Sequence, residues 1–214
     1  NKFIELYGMT ETSPISICNP RYGLKKVGSV GLPYPDTEFK LTDPETDEPV
    51  PLWETGEICV RGPQVMKGYY NRPEETAHAF RDGWMHTGDL GRMDEDGYVY
   101  VVDRLKDMAI VSGFKVFTRE LDDELMKHPD VEMAATVGFP DPDRPGSERV
   151  MAAVILKPGI EKSEEEKEKI LRYLRDTVAP YKVPKVLRFY DTLPTSAVGK
   201  ILKRELKAMI AEEG

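Results

Sequence analysis

The spacing of apolar and polar residues differs between the two halves of the chain. In the first half, short apolar runs are separated by turns rich in Gly and Pro, and residues 57–61 alternate polar and apolar, as a half-buried strand does. The apolar run 3–6 predicts an opening strand. Asp96 and Gly97 lie between two apolar runs, which predicts a β-hairpin. The pattern therefore predicts a small β-rich unit over residues 1–104.

Strands and helices alternate in the second half, from residue 105 to residue 214. Thr118 is predicted to cap a first helix that ends before Pro129. Ser163 and Glu166 form a capping-box pattern at the start of a second helix. The remaining pattern predicts strands at 109–112, 131–137, 149–156 and 186–190 and a last helix with Leu202, Leu206 and Ile210 on one face. This half is predicted to be a compact domain with helices over a small sheet, and the fold class is α+β.

Composition and charge narrow the classes of function. The 214 residues exceed what one compact domain usually needs. The net charge of -8 argues against a nucleic-acid partner, because neutralising phosphates requires concentrated Lys and Arg. No apolar run approaches the roughly 20 residues of a membrane-spanning helix. Cys18 and Cys59 lack metal-ligand spacing, and a zinc site among the three scattered histidines is not expected. With only two cysteines a disulfide scaffold is not expected, which favours a cytoplasmic protein.

Two segments of the first half carry candidate chemistry. The segment 7–12 (YGMTET) places a glycine turn after the opening strand, where a hydroxyl and a carboxylate are well placed for a ligand. Thr10 is a candidate donor to a phosphate oxygen, and Glu11 is a candidate Mg²⁺ ligand. Asp89, next to Gly88, is a candidate acceptor for two adjacent ribose hydroxyls. Ordinary turns are the alternative interpretation of both segments.

Further candidate residues lie at the boundary between the two halves and in the second half. Residues 103–107 (DRLKD) carry four charges in five positions, which suits an interdomain hinge. The planar guanidinium of Arg104 offers several N–H donors to phosphate or ribose oxygens. Gly113 permits a close approach of another chain or a ligand to the backbone. Lys200 ends the loop 194–200 and is a candidate to deliver an ammonium to an anionic centre, although the loop lacks the full phosphate-cradling pattern.

These four segments, in this order and at these separations, resemble the adenylate-forming superfamily of acyl-CoA synthetases, luciferases and peptide-synthetase adenylation domains. The surrounding sequence is most similar to fatty-acid–CoA ligases, on the segments 10–14 (TETSP), 27–31 (VGSVG), 62–70 (GPQVMKGYY) and 71–76 (NRPEET). The resemblance implies that residues 1–104 are the β-rich tail of a large AMP-binding N-terminal domain. Residues 105–214 would be its small, mobile C-terminal α+β lid domain.

The resemblance also implies a role for each candidate in the first half. Tyr7 would stack on adenine and Thr10 would contact the α-phosphate of ATP or AMP. Glu11 would bind Mg²⁺, and both Thr10 and Glu11 would be catalytic. Asp89 would accept the ribose hydroxyls, with Arg104 beside them.

Three residues of the second half receive roles in the same way. Lys106 would be the hinge about which the C-terminal domain rotates between half-reactions. Gly113 would line the passage of the pantetheine arm of CoA, and Lys200 would be the lysine that assists adenylation. The family usually has a proline at the position of Thr118, where a capping threonine is expected to serve similarly.

The implied activity is the two-step ligation of a long- or medium-chain fatty acid to CoA through an acyl-adenylate, with ATP, CoA and the fatty acid as small-molecule partners. Family members carry a phosphate-binding loop and an acyl pocket upstream of residue 7, so the chain alone is expected to be inactive. An aryl-CoA ligase, a peptide-synthetase module and a non-catalytic lid or binding module stay open as alternatives. A homodimer and peripheral attachment to a membrane stay open as well.

Overall fold

A computed structural model of the chain describes residues 3–197 and 199–213. The chain divides into two compact units, with the boundary between Leu105 and Lys106. Both units mix helix and strand, so the predicted α+β class is confirmed. Within the described ranges, no helix is long and apolar enough to cross a membrane.

The first unit consists of two antiparallel sheets and one short helix. A three-stranded sheet has the order β1-β2-β3, with β1 at Leu6–Tyr7, β2 at Ile17–Cys18 and β3 at Leu32–Pro33. A five-stranded sheet contains β4 (Glu38–Thr42), β5 (Gly56–Arg61), β6 (Phe80–Arg81), β7 (Trp84–Met93) and β8 (Val99–Arg104), and helix α1 spans Pro73–Ala79. The long strand β7 pairs with β5, β6 and β8 and thereby joins the sheet together.

Two sequence predictions for this unit need correction. The opening strand is β1 and not residues 3–6: Phe3 is 74% exposed, and β1 pairs with β2 at two positions only. The alternating segment 57–61 is not half-buried, because every residue of β5 before Arg61 is buried. The polar side chain of Glu57 lies inside the unit, where it has several hydrogen-bond partners.

The predicted hairpin is confirmed. β7 and β8 are joined by the turn from Asp94 to Tyr98, in which Gly97 has a φ of 81°. Oδ1 of Asp94 accepts hydrogen bonds from the backbone amides of Asp96 and Tyr98. This turn conformation favours glycine, which explains why the Asp-Gly pair predicts it.

The second unit has a three-stranded sheet between helices on both faces. β11 (Val131–Pro140) pairs antiparallel with β12 (Glu148–Leu156), and β12 pairs parallel with β13 (Val186–Phe189). Helix α3 (Glu164–Thr177) makes the crossover from β12 to β13. The unit also contains the hairpin of β9 (Ala109–Val111) and β10 (Phe114–Val116), helix α2 (Thr118–Leu125) and helix α4 (Lys203–Glu213).

Successive residues of β11 and β12 point to opposite faces, so each face of the sheet has its own core. One core combines strand residues such as Ala152 and Val154 with Ile170 and Leu174 of α3. The other core combines strand residues such as Met151 and Ala153 with the last helix, at Leu206 and Ile210. The sequence predicted helices over the sheet, and the structure has helices on both of its faces.

The two predicted helix starts have different outcomes. Ser163 caps α3, because its Oγ accepts the backbone N–H of Glu166 at 3.1 Å. Thr118 does not cap α2: it is the first residue inside the helix, and the cap position is Phe117, whose side chain makes no capping hydrogen bond. The Thr118 hydroxyl instead accepts a hydrogen bond from Lys203 of α4 at 2.6 Å. A long-range contact has therefore replaced the local one.

Candidate functional site

The structure brings together three predicted site residues from three strands of the first unit. The Tyr7 hydroxyl donates a hydrogen bond of 2.8 Å to Oδ2 of Asp89. Nε of Arg104 lies 3.3 Å from the other carboxylate oxygen, Oδ1. Asp89 is 8% exposed, whereas the Arg104 side chain is 46% exposed. A carboxylate oxygen has more than one acceptor position, so Asp89 keeps acceptor capacity for further hydroxyl donors.

The ionisation of Tyr7 supports its role as the donor. Burial, and then the negative charge of Asp89, raise the pKa of the Tyr7 hydroxyl far above its ordinary value. The phenol therefore stays protonated at physiological pH and donates to the carboxylate. Tyr7 as a whole is 9% exposed.

Asp89 is part of a strand and not of an ordinary turn. Asp89 lies within β7, in a bulge: Glu57 of β5 faces Leu90, whereas Cys59, two residues further along β5, faces His86. Residues 87–89 of β7 thus lie opposite a single residue of β5, Ile58. Bulges redirect side chains at the edges of sheets and next to binding sites.

A hydrogen bond between its own residues holds the glycine turn after β1 together. Residues 10–12 form a 3₁₀ turn in which Oγ1 of Thr12 accepts the backbone N–H of Met9 at 3.1 Å. A side chain at Gly8 would place its Cβ 1.7 Å from the carbonyl oxygen of Pro14, so only glycine fits there. The turn leaves Thr10 exposed and Glu11 half-buried.

Tyr69 contacts Glu11, and no local pattern in the sequence predicts this contact. Its hydroxyl donates a hydrogen bond of 2.8 Å to Oε1 of Glu11, across 58 positions of sequence. Oε2 of Glu11 has no protein partner among the described residues, so it is available as a hard oxygen ligand of the kind that Mg²⁺ takes. Glu11 therefore fits the role of one ligand to this ion. The Gly-Tyr-Tyr segment at 68–70 gave no local signal for the contact.

Glu57 is the second residue missed. Its carboxylate is 2% exposed. Oε1 accepts the backbone N–H of Gly88 at 3.0 Å, and Oε2 lies 2.9 Å from Nδ1 of His86 and 3.4 Å from Nη2 of Arg81. A polar residue in an otherwise apolar buried strand was the available signal, but the alternating pattern favoured an exposed side chain.

Glu57, Cys59 and His86 place their ligand atoms close enough together to resemble a metal site. His86 is a buried residue of β7. Burial raises the pKa of the Cys59 thiol to about 11, and its Sγ lies 3.4 Å from Nδ1 of His86 and 3.4 Å from Oγ1 of Thr42. With Arg81 beside Glu57, we interpret the cluster as a hydrogen-bonded network.

Lys106 and Gly113 both lie on turns of the second unit. Lys106 is exposed in the turn that precedes β9. Gly113 and Ser112 form the two-residue loop of the β9–β10 hairpin, with φ values of 84° and 51°. The Ser112 side chain is fixed by a 2.9 Å hydrogen bond from Arg144. Space around Gly113 is open, since a Cβ there would meet nothing within 4 Å.

The loop of Lys200 is a small hairpin. Thr195 and Ile201 form an isolated β-bridge, and the backbone N–H of Ser196 donates to the carbonyl of Lys200 at 2.8 Å. Gly199 has a φ of 78°, and the Lys200 side chain is exposed. Val198 lies outside the described residues. The loop thus presents one ammonium on a short turn next to α4.

Known proteins similar to this chain were identified by sequence and by structure. The pattern of the AMP-binding enzyme family matches residues 1–70, and that of the AMP-binding enzyme C-terminal domain matches residues 120–200. A long-chain-fatty-acid–CoA ligase of Bacillus subtilis is 45% identical over 205 residues, covering 96% of this chain and 36% of that protein. A feruloyl-CoA synthase of an Amycolatopsis species is 46% identical over 206 residues, covering 96% and 41%.

The solved structures agree with the sequence matches. ATP-bound MatB from Rhodopseudomonas palustris superimposes with a TM-score of 0.89 at 38% identity, covering 98% of this chain and 41% of that one. The chain thus spans about two fifths of the length of these relatives or less. Since both family patterns, the relatives and the fold agree, the chain belongs to the AMP-binding enzyme family, the acyl-adenylate-forming enzymes.

Proposed function

We propose that the chain is part of an ATP-dependent fatty-acid–CoA ligase and contributes its adenosine and catalytic-lysine contacts. The observation that carries this proposal is the Asp89 carboxylate, held by Tyr7 and Arg104 with acceptor capacity left for a ribose. The 45% identity to a long-chain-fatty-acid–CoA ligase supports a fatty acid as the substrate. The regions that the relatives have in addition would supply the acyl pocket and the remaining phosphate contacts.

The proposed reaction has two steps. A carboxylate is a poor electrophile, so its oxygen first attacks the α-phosphorus of ATP, giving an acyl-adenylate and pyrophosphate. The CoA thiol, losing its proton, then attacks the acyl carbon, giving acyl-CoA and AMP. Negative charge gathers on the α-phosphate in the first step, where a preorganised ammonium and a hydroxyl donor stabilise it.

Each predicted residue has a role in this proposal. Asp89 accepts the 2′- and 3′-hydroxyls, and the Tyr7 ring lies against the adenine. Thr10 donates to the α-phosphate. Lys200 brings its ammonium to the same phosphate. Glu11 would hold Mg²⁺, which neutralises phosphate charge when bound.

Lys106 and Gly113 belong to the second step. Lys106 would be the pivot of a rotation that exchanges the adenylation contacts for the thioester-forming ones, since a mobile element can serve two half-reactions in turn. Gly113 would border the passage of the pantetheine arm. The open space around Gly113 is compatible with such a passage.

Lys200→Ala tests the proposal in an enzyme of full family length that carries this chain. Acyl-adenylate formation, followed by pyrophosphate exchange, should fall by roughly 10²–10³-fold, the loss expected for one preorganised electrostatic contact. Thioester formation from supplied acyl-adenylate should change little. Lys127→Ala is the matched control, because Lys127 is an exposed lysine on the same unit. An equal loss in both half-reactions would exclude this role for Lys200.

An aromatic acid is the second candidate substrate, because the feruloyl-CoA synthase is as similar as the fatty-acid ligase. A panel of octanoate, palmitate and ferulate, compared by kcat/KM in the same enzyme, separates the two. A preference for ferulate would replace the fatty acid in the proposal and leave the roles of the site residues unchanged. Failure to adenylate any carboxylate would favour a non-catalytic binding module.

A further inference from the structure

The bulge of β7 that carries Asp89 is held differently on its two sides. Towards β8 the backbone N–H of Leu105 donates to the Gly88 carbonyl at 2.8 Å, and Asp89 pairs with Arg104, whereas towards β5 side chains hold the bulge. Because residues 87–89 interrupt the pairing of β7 with β5, the regular ladder of backbone hydrogen bonds is broken there. Two side chains take its place. Oγ1 of Thr87 donates to the carbonyl of Ile58 at 2.9 Å and accepts the Asp89 N–H at 3.1 Å, while Glu57 accepts the N–H of Gly88 at 3.0 Å.

The Glu57 carboxylate is itself fixed. It is almost fully buried, and its second oxygen lies 2.9 Å from Nδ1 of His86 and 3.4 Å from Nη2 of Arg81. Arg81 is held in turn by two 3.1 Å hydrogen bonds to Asp47. A buried carboxylate is tolerated when its oxygens are paired in this way, and it then has one well-defined orientation.

Glu57 thus contacts Gly88, which directly precedes Asp89, and His86, which lies two positions before Gly88. Gly88 has a φ of 72°, a conformation that favours glycine and that sets the direction in which the chain enters Asp89. Tyr7 and Arg104 then hold the two carboxylate oxygens of Asp89. The backbone and the side chain of Asp89 are therefore oriented by separate contacts.

We propose that Glu57 is a positioning residue for ribose recognition: it orients the bulge so that the Asp89 carboxylate faces the 2′- and 3′-hydroxyls of the nucleotide. This inference rests on the proposed ribose role of Asp89. It assigns Glu57 no contact with the substrate. Glu57 acts through the Gly88 amide, and its removal should weaken the contacts of the ribose and leave those of the phosphates and the adenine unchanged.

The test compares ATP with 2′,3′-dideoxy-ATP in an enzyme of full family length that carries this chain. Glu57→Gln keeps an acceptor oxygen for the Gly88 N–H but removes its charge, so it should lower ATP affinity by about fivefold, the difference between a hydrogen bond to a charged group and one to a neutral group, and should leave dideoxy-ATP affinity nearly unchanged. Asp89→Ala should remove the discrimination between the two nucleotides. Glu57→Gln combined with Asp89→Ala should bind ATP no more weakly than Asp89→Ala alone, because Glu57 acts through Asp89.

Controls separate positioning from folding. Arg61→Gln removes an ion pair of the same sheet, between Arg61 of β5 and Glu38 of β4, that does not involve Glu57 or the bulge, and it should leave the ATP to dideoxy-ATP ratio unchanged. If Glu57→Gln does not fold, Glu57→Asp keeps the charge, shortens the reach to Gly88 and should show the same selective loss.

The outcomes distinguish the inference from the proposed function. If Asp89→Ala does not alter the ratio, the ribose role of Asp89 fails and this inference fails with it. A second outcome is that Asp89→Ala makes the affinities for ATP and dideoxy-ATP equal while the Glu57 variants lower both affinities by the same factor. In that case Glu57 is only structural. Additive losses in the double variant would overturn the inference in the same way.

Discussion

Nζ of Lys203, the first residue of α4, lies 2.6 Å from Oδ2 of Asp122 on α2. The other oxygen of Asp122 accepts hydrogen bonds from the backbone N–H and the hydroxyl of Thr136 on β11. This ion pair joins α2 to the start of α4, which lies three residues after Lys200. It is mostly shielded from water, with the two side chains 15% and 18% exposed.

Lys203→Met should therefore destabilise the second unit. Burial raises the pKa of Asp122 even with Lys203 beside it, so removal of the ammonium leaves a desolvated carboxylate without its partner. The expected loss is about 3 kcal/mol, the scale for breaking a buried pair. Urea unfolding of the chain followed by far-UV circular dichroism measures it, since three of the four α-helices of the described chain lie in this unit.

Two variants control this measurement. Lys182→Met removes an ion pair with Glu120, whose side chain is 46% exposed, and should cost at most about 1 kcal/mol. Lys203→Met combined with Asp122→Asn should be more stable than Lys203→Met alone. If the two lysine variants lose equal stability, the Lys203 pair has no special role.

Limited proteolysis should cut the chain near the boundary between the two units. Lys106 is exposed in a turn, and the compact units divide immediately before it. Brief trypsin treatment, followed by mass spectrometry, is expected to release a folded piece of about 110 residues, an ordinary domain size. Lys106→Gln should slow this cut. Faster cleavage within β12 would contradict the predicted boundary.

Gly113→Ala should lower stability only slightly. The substituted residue must adopt a φ of 84°, which is unfavourable for a side chain, but the added Cβ meets no neighbour. The expected cost is about 1 kcal/mol, measured by thermal unfolding. Gly159→Ala, at another open glycine with a φ of 89°, is the matched control.

In the enzyme of full family length, Gly113→Leu adds bulk as well as this strain. We expect it to slow thioester formation while pyrophosphate exchange is largely kept, because only the second half-reaction is proposed to use the passage beside Gly113. Loss of pyrophosphate exchange in a well-folded Gly113→Leu protein would show that the passage is wrongly assigned.

Acid should weaken the first unit through Asp94. Burial acts to raise the pKa of Asp94, but the hydrogen bond from Lys26 and the amides of Tyr98 and Asp96 outweigh it, so the net pKa lies below its usual range. A carboxyl whose folded pKa is lowered stabilises the fold above its unfolded pKa of about 3.9. That contribution is lost as the pH falls through the folded pKa.

Asp94→Asn should therefore be less stable than the native chain at pH 7, and the difference should shrink below about pH 4. Tryptophan fluorescence during urea unfolding reports on this unit, because both tryptophans, Trp53 and Trp84, lie in it. Asp96→Asn is the control, since Asp96 shares Lys26 but its side chain is 59% exposed. A constant difference across this pH range would refute the role of Asp94.

Local patterns predicted the elements whose stability is local. The apolar positions Leu206 and Ile210 recur at helical spacing, and they are buried in α4. The turn at Gly97 follows from its backbone conformation. Thr118 illustrates the limit, because a threonine before an apolar stripe has the chemistry of a cap, yet its hydroxyl is taken by Lys203, 85 positions away.

The candidate site divides in the same way. Asp89 was predicted because it follows a glycine, and Arg104 because it lies in a charged segment between the two halves of the chain. In the structure, Tyr7 and Arg104 each contact the Asp89 carboxylate. Tyr69 and Glu57 were missed because their partners, Glu11 and Gly88, lie 58 and 31 positions away. No short pattern encodes which distant strand will face a residue.

Cys59 gives the chain a natural probe of its own fluctuations. The thiol is fully buried between Thr42 of β4 and His86 of β7, and its pKa of about 11 keeps it unreactive while the sheet is closed. A thiol reagent can modify it only when β5 separates from its neighbours, so the labelling rate measures the free energy of that opening. Cys18 is half-buried in β2 and should label earlier. The two rates would order the opening of the two sheets without any engineered label.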